Sequence, residues 1–187
     1  MRLFELNESM GISTAGLAQK GYNVREMLYH GSFWDFASFT DVHKGTSKYL
    51  FTTPQKQTAD TYGRYLYTCY ARQDKQVDLR SNRKVVEKVI RANIDAVLER
   101  HRHQLKSKRE DARKEEAFRY GVKYLSQHGP TYNGGDDLQN DLIAECFGLG
   151  FTSIRTYDCR PGVSVIFKNR EDVIIVRKEV GGIVTQF

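Results

Sequence analysis

Apolar and polar positions follow two periods along this chain, and the period changes between its ends and its middle. Alternation of period two predicts a strand over Arg64–Arg72, and shorter β-type runs predict strands over Glu26–His30 and Tyr49–Thr52. Helical spacing of apolar residues predicts a long helix over Asn82–Gln104. The chain closes on three more β-type runs, Phe151–Tyr157, Val163–Phe167 and Val173–Val176. Strands that enclose a helical middle predict an α+β fold.

Turn and cap residues add shorter helices to this outline. They run from the Thr53-Pro54 pair to about Gly63, over Glu115–Leu125, and from Asp136 or Asp137 to Phe147. Phe33, Phe36 and Phe39 recur at intervals of three, which predicts a helical turn with one aromatic face packed inward.

Length and composition then narrow the class of protein. The 187 residues, 40% hydrophobic and 28% charged, suit one soluble domain in which residues 1–26 form a lead-in. No apolar run approaches the ~20 residues of a membrane span, and the N-terminus lacks the pattern of a signal peptide. The three widely spaced cysteines fit a reducing cytoplasm rather than a disulfide framework.

The net charge of +6 is concentrated in one segment. Between Arg80 and Lys123 there are 14 Lys/Arg and 7 Asp/Glu, whereas the remainder of the chain has a net charge of −1. A basic helical segment of this kind is able to meet nucleic acid or an acidic protein partner. A solvated, salt-bridged helix face would have the same composition, so both interpretations stay open.

Several common sites are absent from the sequence. There is no Walker loop, no GxGxxG, no CxxC pair and no GxSxG. His101 and His103 are two residues apart on a predicted helix, so they point to different faces and do not make a metal pair. No metal site is therefore predicted.

An ordered series of short motifs remains. They are Leu28-Tyr29-His30-Gly31-Ser32, Tyr49-Leu50-Phe51-Thr52-Thr53, Ala59-Asp60-Thr61-Tyr62-Gly63, Leu66-Tyr67-Thr68-Cys69-Tyr70 and Leu149-Gly150-Phe151-Thr152-Ser153-Ile154. Their order resembles the ADP-ribosyltransferases of the poly-ADP-ribose polymerase and diphtheria-toxin type. It looks closest to the small phage-encoded branch, which includes anti-CRISPR mono-ADP-ribosyltransferases. The likeness covers about residues 27–79 and 138–176.

The resemblance implies a split mixed β-sheet core with a basic helical insertion at 80–128, and NAD as substrate. It places His30, Gly31 and Ser32 at the NAD-binding edge, with His30 donating toward the adenosine ribose and Gly31 meeting the nicotinamide amide through its backbone. It also places Thr52 at this edge and stacks Tyr62 on nicotinamide. The alternatives are a structural role for His30 and core packing for Tyr62.

The sequence departs from the family at two positions. Leu50 stands where a second stacking tyrosine is common, and Val163 occupies the strand start that usually carries the catalytic acid. Asp158, just beyond the preceding strand, is the candidate catalytic residue, although Asp also favours turns for conformational reasons. Glu171 is the weaker candidate.

The implied activity is NAD-dependent mono-ADP-ribosyl transfer to a host macromolecule, with a protein as the expected target, in the cytoplasm of a phage host. The alternative is a non-catalytic module on the same fold whose basic helices engage a partner or nucleic acid. Packaging in the virion is a further alternative, since Leu3-Phe4-Glu5 and Leu6-Asn7-Glu8 resemble the Leu-x-Glu sites of phage head proteases.

Overall fold

A computed structural model describes residues 13–41, 48–102, 109–130, 137–157, 162–181 and 183–186. Within these residues the chain is α+β, as the sequence predicts. The strands are β1 (Leu28–Ser32), β2 (Leu50–Thr52), β3 (Tyr65–Ala71), β4 (Gln76–Asp78), β5 (Ser153–Tyr157), β6 (Val163–Phe167), β7 (Val173–Val180) and β8 (Ile183–Gln186). The α-helices are α1 (Thr14–Gln19), α2 (Lys56–Asp60), α3 (Arg83–Ala92), α4 (Ile94–Arg100), α5 (Glu110–His128) and α6 (Asp137–Gly148).

The chain divides into two compact units, residues 1–74 with 164–187 and residues 75–163. The prediction of a single domain with an insertion at 80–128 stays a prediction, and each unit is described by itself. No helix in the described ranges has the length and apolar character needed to cross a membrane.

The first unit is built on an antiparallel sheet in the order β1-β3-β7-β8. β3 is its centre and is buried from Leu66 to Ala71, so it is covered on both faces. The register pairs Leu28 with Cys69 on β1 and Cys69 with Ile175 on β7. A second ladder pairs β2 with β6, and Phe167 of β6 joins the same apolar core as these three residues.

The second unit packs α3 and α4 against α5. The buried face of α3 is formed by Val86, Val89 and Ile90. Gly121 lets α5 approach closely, because a Cβ there would meet Ile90 at 3.0 Å and Val97 at 3.2 Å. β4 pairs in parallel with β5 and supplies the strand component of this unit.

The structure corrects the prediction of one long helix over 82–104. α3 ends at Ala92, the backbone of Asn93 leaves the helical region, and α4 begins directly after Asn93. The Asn93 side chain donates to the Val89 carbonyl at 2.9 Å, a local hydrogen bond by which Asn competes with helix continuation. Residues 103 and 104 lie outside the described ranges.

Two smaller predictions were also wrong, one of them in part. Thr53 does not cap α2. Its hydroxyl accepts from the Gln55 amide at 3.1 Å, and the helix begins at Lys56, directly after Gln55. The aromatic turn was predicted correctly only in part: Phe36 and Phe39 pack on the core, whereas Phe33 is 69% exposed and the backbone is irregular. The strands β4 and β8 had no sequence prediction, because three or four residues give too short a pattern.

Candidate functional site

The motif His30-Gly31-Ser32 lies on β1, where β1 meets the end of β2. The amide of Tyr29 donates to the Thr53 carbonyl at 2.7 Å, and the amide of Thr53 donates back to the Tyr29 carbonyl at 2.9 Å. This single bridge joins strands of two different ladders. The motif therefore lies at the junction of the two ladders.

His30 is fixed by one short hydrogen bond. Its Nδ1 lies 2.7 Å from the carbonyl oxygen of Phe51, which can only accept, so Nδ1 carries the proton. Desolvation lowers the pKa of His30, and the positive charge of Arg170 lowers it further, against the raising effect of the Phe51 hydrogen bond. The ring is therefore neutral at neutral pH and Nε2 is an acceptor. A ribose hydroxyl would donate to this nitrogen, which reverses the direction expected from the sequence.

An aromatic cluster surrounds His30. Its ring centroid lies 5.2 Å from that of Phe39 in an edge-to-face arrangement and 5.9 Å from that of Phe36. Phe36 stacks on Tyr67 at 4.4 Å and 11°. These rings pack around the imidazole and contribute to its burial.

Tyr67 anchors the segment that follows the motif. Its hydroxyl accepts from the Phe36 amide at 3.0 Å and lies 3.2 Å from the Trp34 carbonyl and 3.3 Å from the Asp35 carboxylate. Burial raises the pKa of Tyr67 to about 12, so the phenol stays protonated and donates. Asp35 also binds Lys178 at 2.7 Å, which lowers the pKa of this carboxyl group. The segment after Ser32 is thereby tied to β3 and β7.

Two glycines allow the α2 region to pack closely against β1. A Cβ on Gly31 would overlap the Ala59 carbonyl oxygen and stand 3.0 Å from Cβ of Tyr62. A Cβ on Gly63 would overlap the backbone of Ser32. Glycine is therefore required at both positions by close backbone packing, and this packing sets Tyr62 beside Gly31.

The structure thus brings together four of the sequence-predicted residues, His30, Gly31, Ser32 and Tyr62. Ser32 uses its hydroxyl to accept from the Trp34 amide at 3.0 Å. Thr52 is buried and its hydroxyl donates to the Val165 carbonyl at 3.0 Å, so it serves the β2–β6 ladder. The NAD contacts assigned to these residues stay predictions.

Of the two acidic candidates, only Glu171 falls within the described residues. Asp158 lies outside the described residues. Glu171 is exposed in the 3₁₀ turn Arg170–Asp172. Val163, at the start of β6, is half-buried. Among the described residues, no group of three or more His, Cys, Asp or Glu side chains is arranged to hold a metal ion.

Sequence reasoning missed the anchoring roles of Tyr67 and Phe36 and the influence of Arg170 on His30. In the sequence, Tyr67 is one of several alternating residues of a strand. Its anchoring role depends on its pairing opposite His30, which the structure gives. Arg170 is 140 positions further along the chain than His30, and no local sequence pattern indicates that its positive charge lowers the pKa of His30.

Comparison with known proteins gives no match in sequence and a distant similarity in structure. No protein-family model matches the chain, and no curated protein matches its sequence. A solved structure described as that of an anti-CRISPR protein is similar at a TM-score of 0.42 and 16% identity, over 80% of this chain and 94% of that one. Similarity at this level carries no conclusion about function or source.

Proposed function

We propose that this protein is an NAD-dependent ADP-ribosyltransferase whose NAD-binding edge is the His30-Gly31-Ser32 strand. The observation that carries the proposal is the arrangement of His30 and Tyr62 on either side of Gly31. The Phe51 hydrogen bond leaves His30 Nε2 as an acceptor, and the tight packing at Gly31 sets Cβ of Tyr62 beside the Gly31 backbone. A ribose hydroxyl and a nicotinamide ring are the ligand groups that match this pair.

Two further features support the proposal. β1 and β2 belong to different ladders that are joined beside the motif by the Tyr29–Thr53 bridge, an arrangement that a split sheet requires. The positive charge of Arg170 acts on His30, and a positive charge near the motif would attract the pyrophosphate of a dinucleotide.

The chemistry follows from the bond that breaks. The C–N bond between ribose C1′ and nicotinamide cleaves, and its electron pair leaves with neutral nicotinamide. Positive charge develops on the ribose, as in glycoside chemistry, and a carboxylate stabilises it. A nucleophilic side chain of the target then bonds to C1′ and loses its proton. Asp158 is the residue that we assign to this carboxylate role, on the sequence resemblance.

The direct experiment is transfer of label from ³²P-NAD⁺ to proteins of bacterial lysates. Wild-type protein is expected to label a discrete target, and Asp158→Asn is expected to bind NAD⁺ normally but to lower the labelling rate by about 10²–10³-fold, the cost of removing one transition-state electrostatic contact. Glu171→Gln is the matched control and is expected to label as wild type does. If Asp158→Asn labels at the wild-type rate while Glu171→Gln does not, the assignment of the acid is wrong. Absence of both NAD⁺ binding and labelling in the wild type refutes the proposed function.

A second candidate function is a non-catalytic module on the same fold. Val163 at the usual position of the acid favours it, and so does the use of the Thr52 hydroxyl within the β2–β6 ladder. This candidate requires that wild-type protein label nothing in any lysate while the chain stays folded. Labelling that depends on Asp158 excludes it.

A further inference from the structure

The second unit contains a cationic groove between the start of α3 and the second half of α5. The groove has a volume of about 390 Å³. Its cations are Arg80, Arg83, Arg119 and Lys123. No carboxylate lines it, although the acids that pair with these cations stand close by. We name this surface the α3–α5 groove and infer that it binds single-stranded nucleic acid.

The groove cations come from α5, from the start of α3 and from the residues just before α3. On α5, Arg119, Lys123 and Gln127 recur every four residues, so they share one face. Arg83 opens α3, whose first turn contains no acidic residue. Cations at the positive end of a helix are electrostatically unfavourable when no anion is present. A bound phosphate would relieve this repulsion and also the repulsion between Arg83 and the cations of α5.

The ion pairs at the groove are weak enough to exchange. Arg83 binds Glu87 at 2.8 Å and is 81% exposed, and Arg119 binds Glu115 at 3.0 Å and is 76% exposed. Exposed pairs between residues four apart contribute little and are screened by salt. Lys123 is exposed, and no ion pair is formed by it within the described ranges. These three side chains are therefore able to turn to phosphate at small cost.

Arg80 has a different role, since it is held rigidly. It binds Asp78 through two hydrogen bonds, Nε to Oδ1 at 2.8 Å and Nη2 to Oδ2 at 2.6 Å. Its guanidinium also lies over the ring of Tyr157, 5.7 Å from the centroid. Arg80 fixes one end of the groove, while the other three cations reach the ligand.

The floor of the groove distinguishes a single strand from a duplex. Phe118 and Val122 supply apolar surface, and Ser126 and Gln127 supply polar groups. One face of the Phe118 ring is covered by the Arg91 guanidinium, 4.2 Å from the centroid. A single strand can place phosphates on the cationic rims and bases on this floor, as in cationic grooves with aromatic platforms. A duplex keeps its bases inside and would leave the apolar floor unused.

The test is fluorescence anisotropy with a fluorescein-labelled 12-nucleotide oligo-U and oligo-dT, and with a 12-base-pair duplex, over 50–300 mM salt. Removal of two phosphate contacts in Arg119→Gln/Lys123→Gln lowers the slope of log K against log salt by about 1.4, and affinity at 0.15 M by roughly tenfold. Lys88→Gln/Lys114→Gln is the control. It removes the same charge from exposed helix positions outside the groove and is expected to change affinity much less.

The result that supports the inference is single-strand binding that weakens in the groove variant, survives in the control and returns in the charge-conserving Arg119→Lys/Lys123→Arg. Equal loss in the control, equal or tighter binding of the duplex, or no binding by the wild type would overturn it. NAD⁺ titration of the same variants keeps this inference separate from the proposed function, because the groove lies in the second unit and should leave NAD⁺ binding unchanged.

Discussion

Replacement of Gly31 by alanine tests the packing on which the candidate site depends. The added Cβ would overlap the Ala59 carbonyl oxygen, and it would stand 2.9 Å from the carbonyl carbon of that residue and 3.0 Å from Tyr62 Cβ. Two of these obstacles are backbone atoms, which cannot move aside as a flexible side chain can. Either α2 or β1 must shift as a body to make room.

The expected loss of stability follows from this geometry. Overpacking by added methylenes costs about 1–3 kcal/mol where side chains absorb the strain, and occasionally more. Because Gly31→Ala presses on backbone, we expect about 3 kcal/mol. Gly148→Ala is the matched control: no heavy atom lies within 4 Å of a Cβ there, and alanine at a helix end changes stability by less than about 1 kcal/mol.

The assay is hydrogen–deuterium exchange in increasing urea, read by mass spectrometry on peptides that cover β1 and α2. Peptide-level reading separates the first unit from the second, which a global signal would merge. Gly31→Ala should lower the opening free energy of these peptides and leave those of α3 unchanged. A loss below about 0.5 kcal/mol would refute the packing, and if NAD⁺ binding disappeared all the same, Gly31 would act through the ligand alone.

Three further predictions follow from the surroundings of the site. Tyr67→Phe leaves the Phe36 amide without its 3.0 Å partner and should cost about 1–3 kcal/mol in urea unfolding; a neutral effect would contradict the anchoring role. Burial lowers the pKa of His30 below 6.5, so the unfolded chain binds a proton at a higher pH than the folded chain does, and the free energy of unfolding should fall as the pH drops below about 6.5. His30→Gln should flatten that part of the plot of unfolding free energy against pH. An unchanged plot would argue against a neutral His30. Burial also raises the pKa of Cys69, and it raises that of Cys146 to about 12, so both thiols stay protonated in the folded chain. In a Cys159→Ser background, iodoacetamide should therefore modify neither thiol until urea unfolds the chain. Rapid labelling of the native protein would contradict their burial.

The regular parts of the fold were predictable because their side-chain periods are strong. The alternation over residues 64–72 located β3, and β6 was placed at Val163–Phe167 without error. Asn82 was correctly taken as the start of a helix, and its side chain accepts from the Val85 amide at 3.2 Å. The break at Asn93 was not predicted, since the apolar pattern continues across it from Ile90 to Val97.

The proximity of the motif residues was predictable, but their contacts were not. The motif order placed His30, Gly31 and Tyr62 near one another, and the structure does so. The direction of the His30 hydrogen bond was not predictable, because it depends on Phe51, whose carbonyl comes from another ladder. The buried use of the Thr52 hydroxyl depends in the same way on Val165, 113 positions away.

Titration of the purified full chain with NAD⁺ in an isothermal calorimeter tests the central claim most directly. We predict one NAD⁺ per chain in the wild type. Tyr62→Ala should weaken binding about tenfold, because loss of one aromatic stacking contact removes roughly 1–3 kcal/mol, while Tyr62→Phe keeps the ring and should bind nearly as the wild type does. No heat of binding in the folded wild type, or equal affinity in Tyr62→Ala, would contradict the assignment of this edge to NAD⁺.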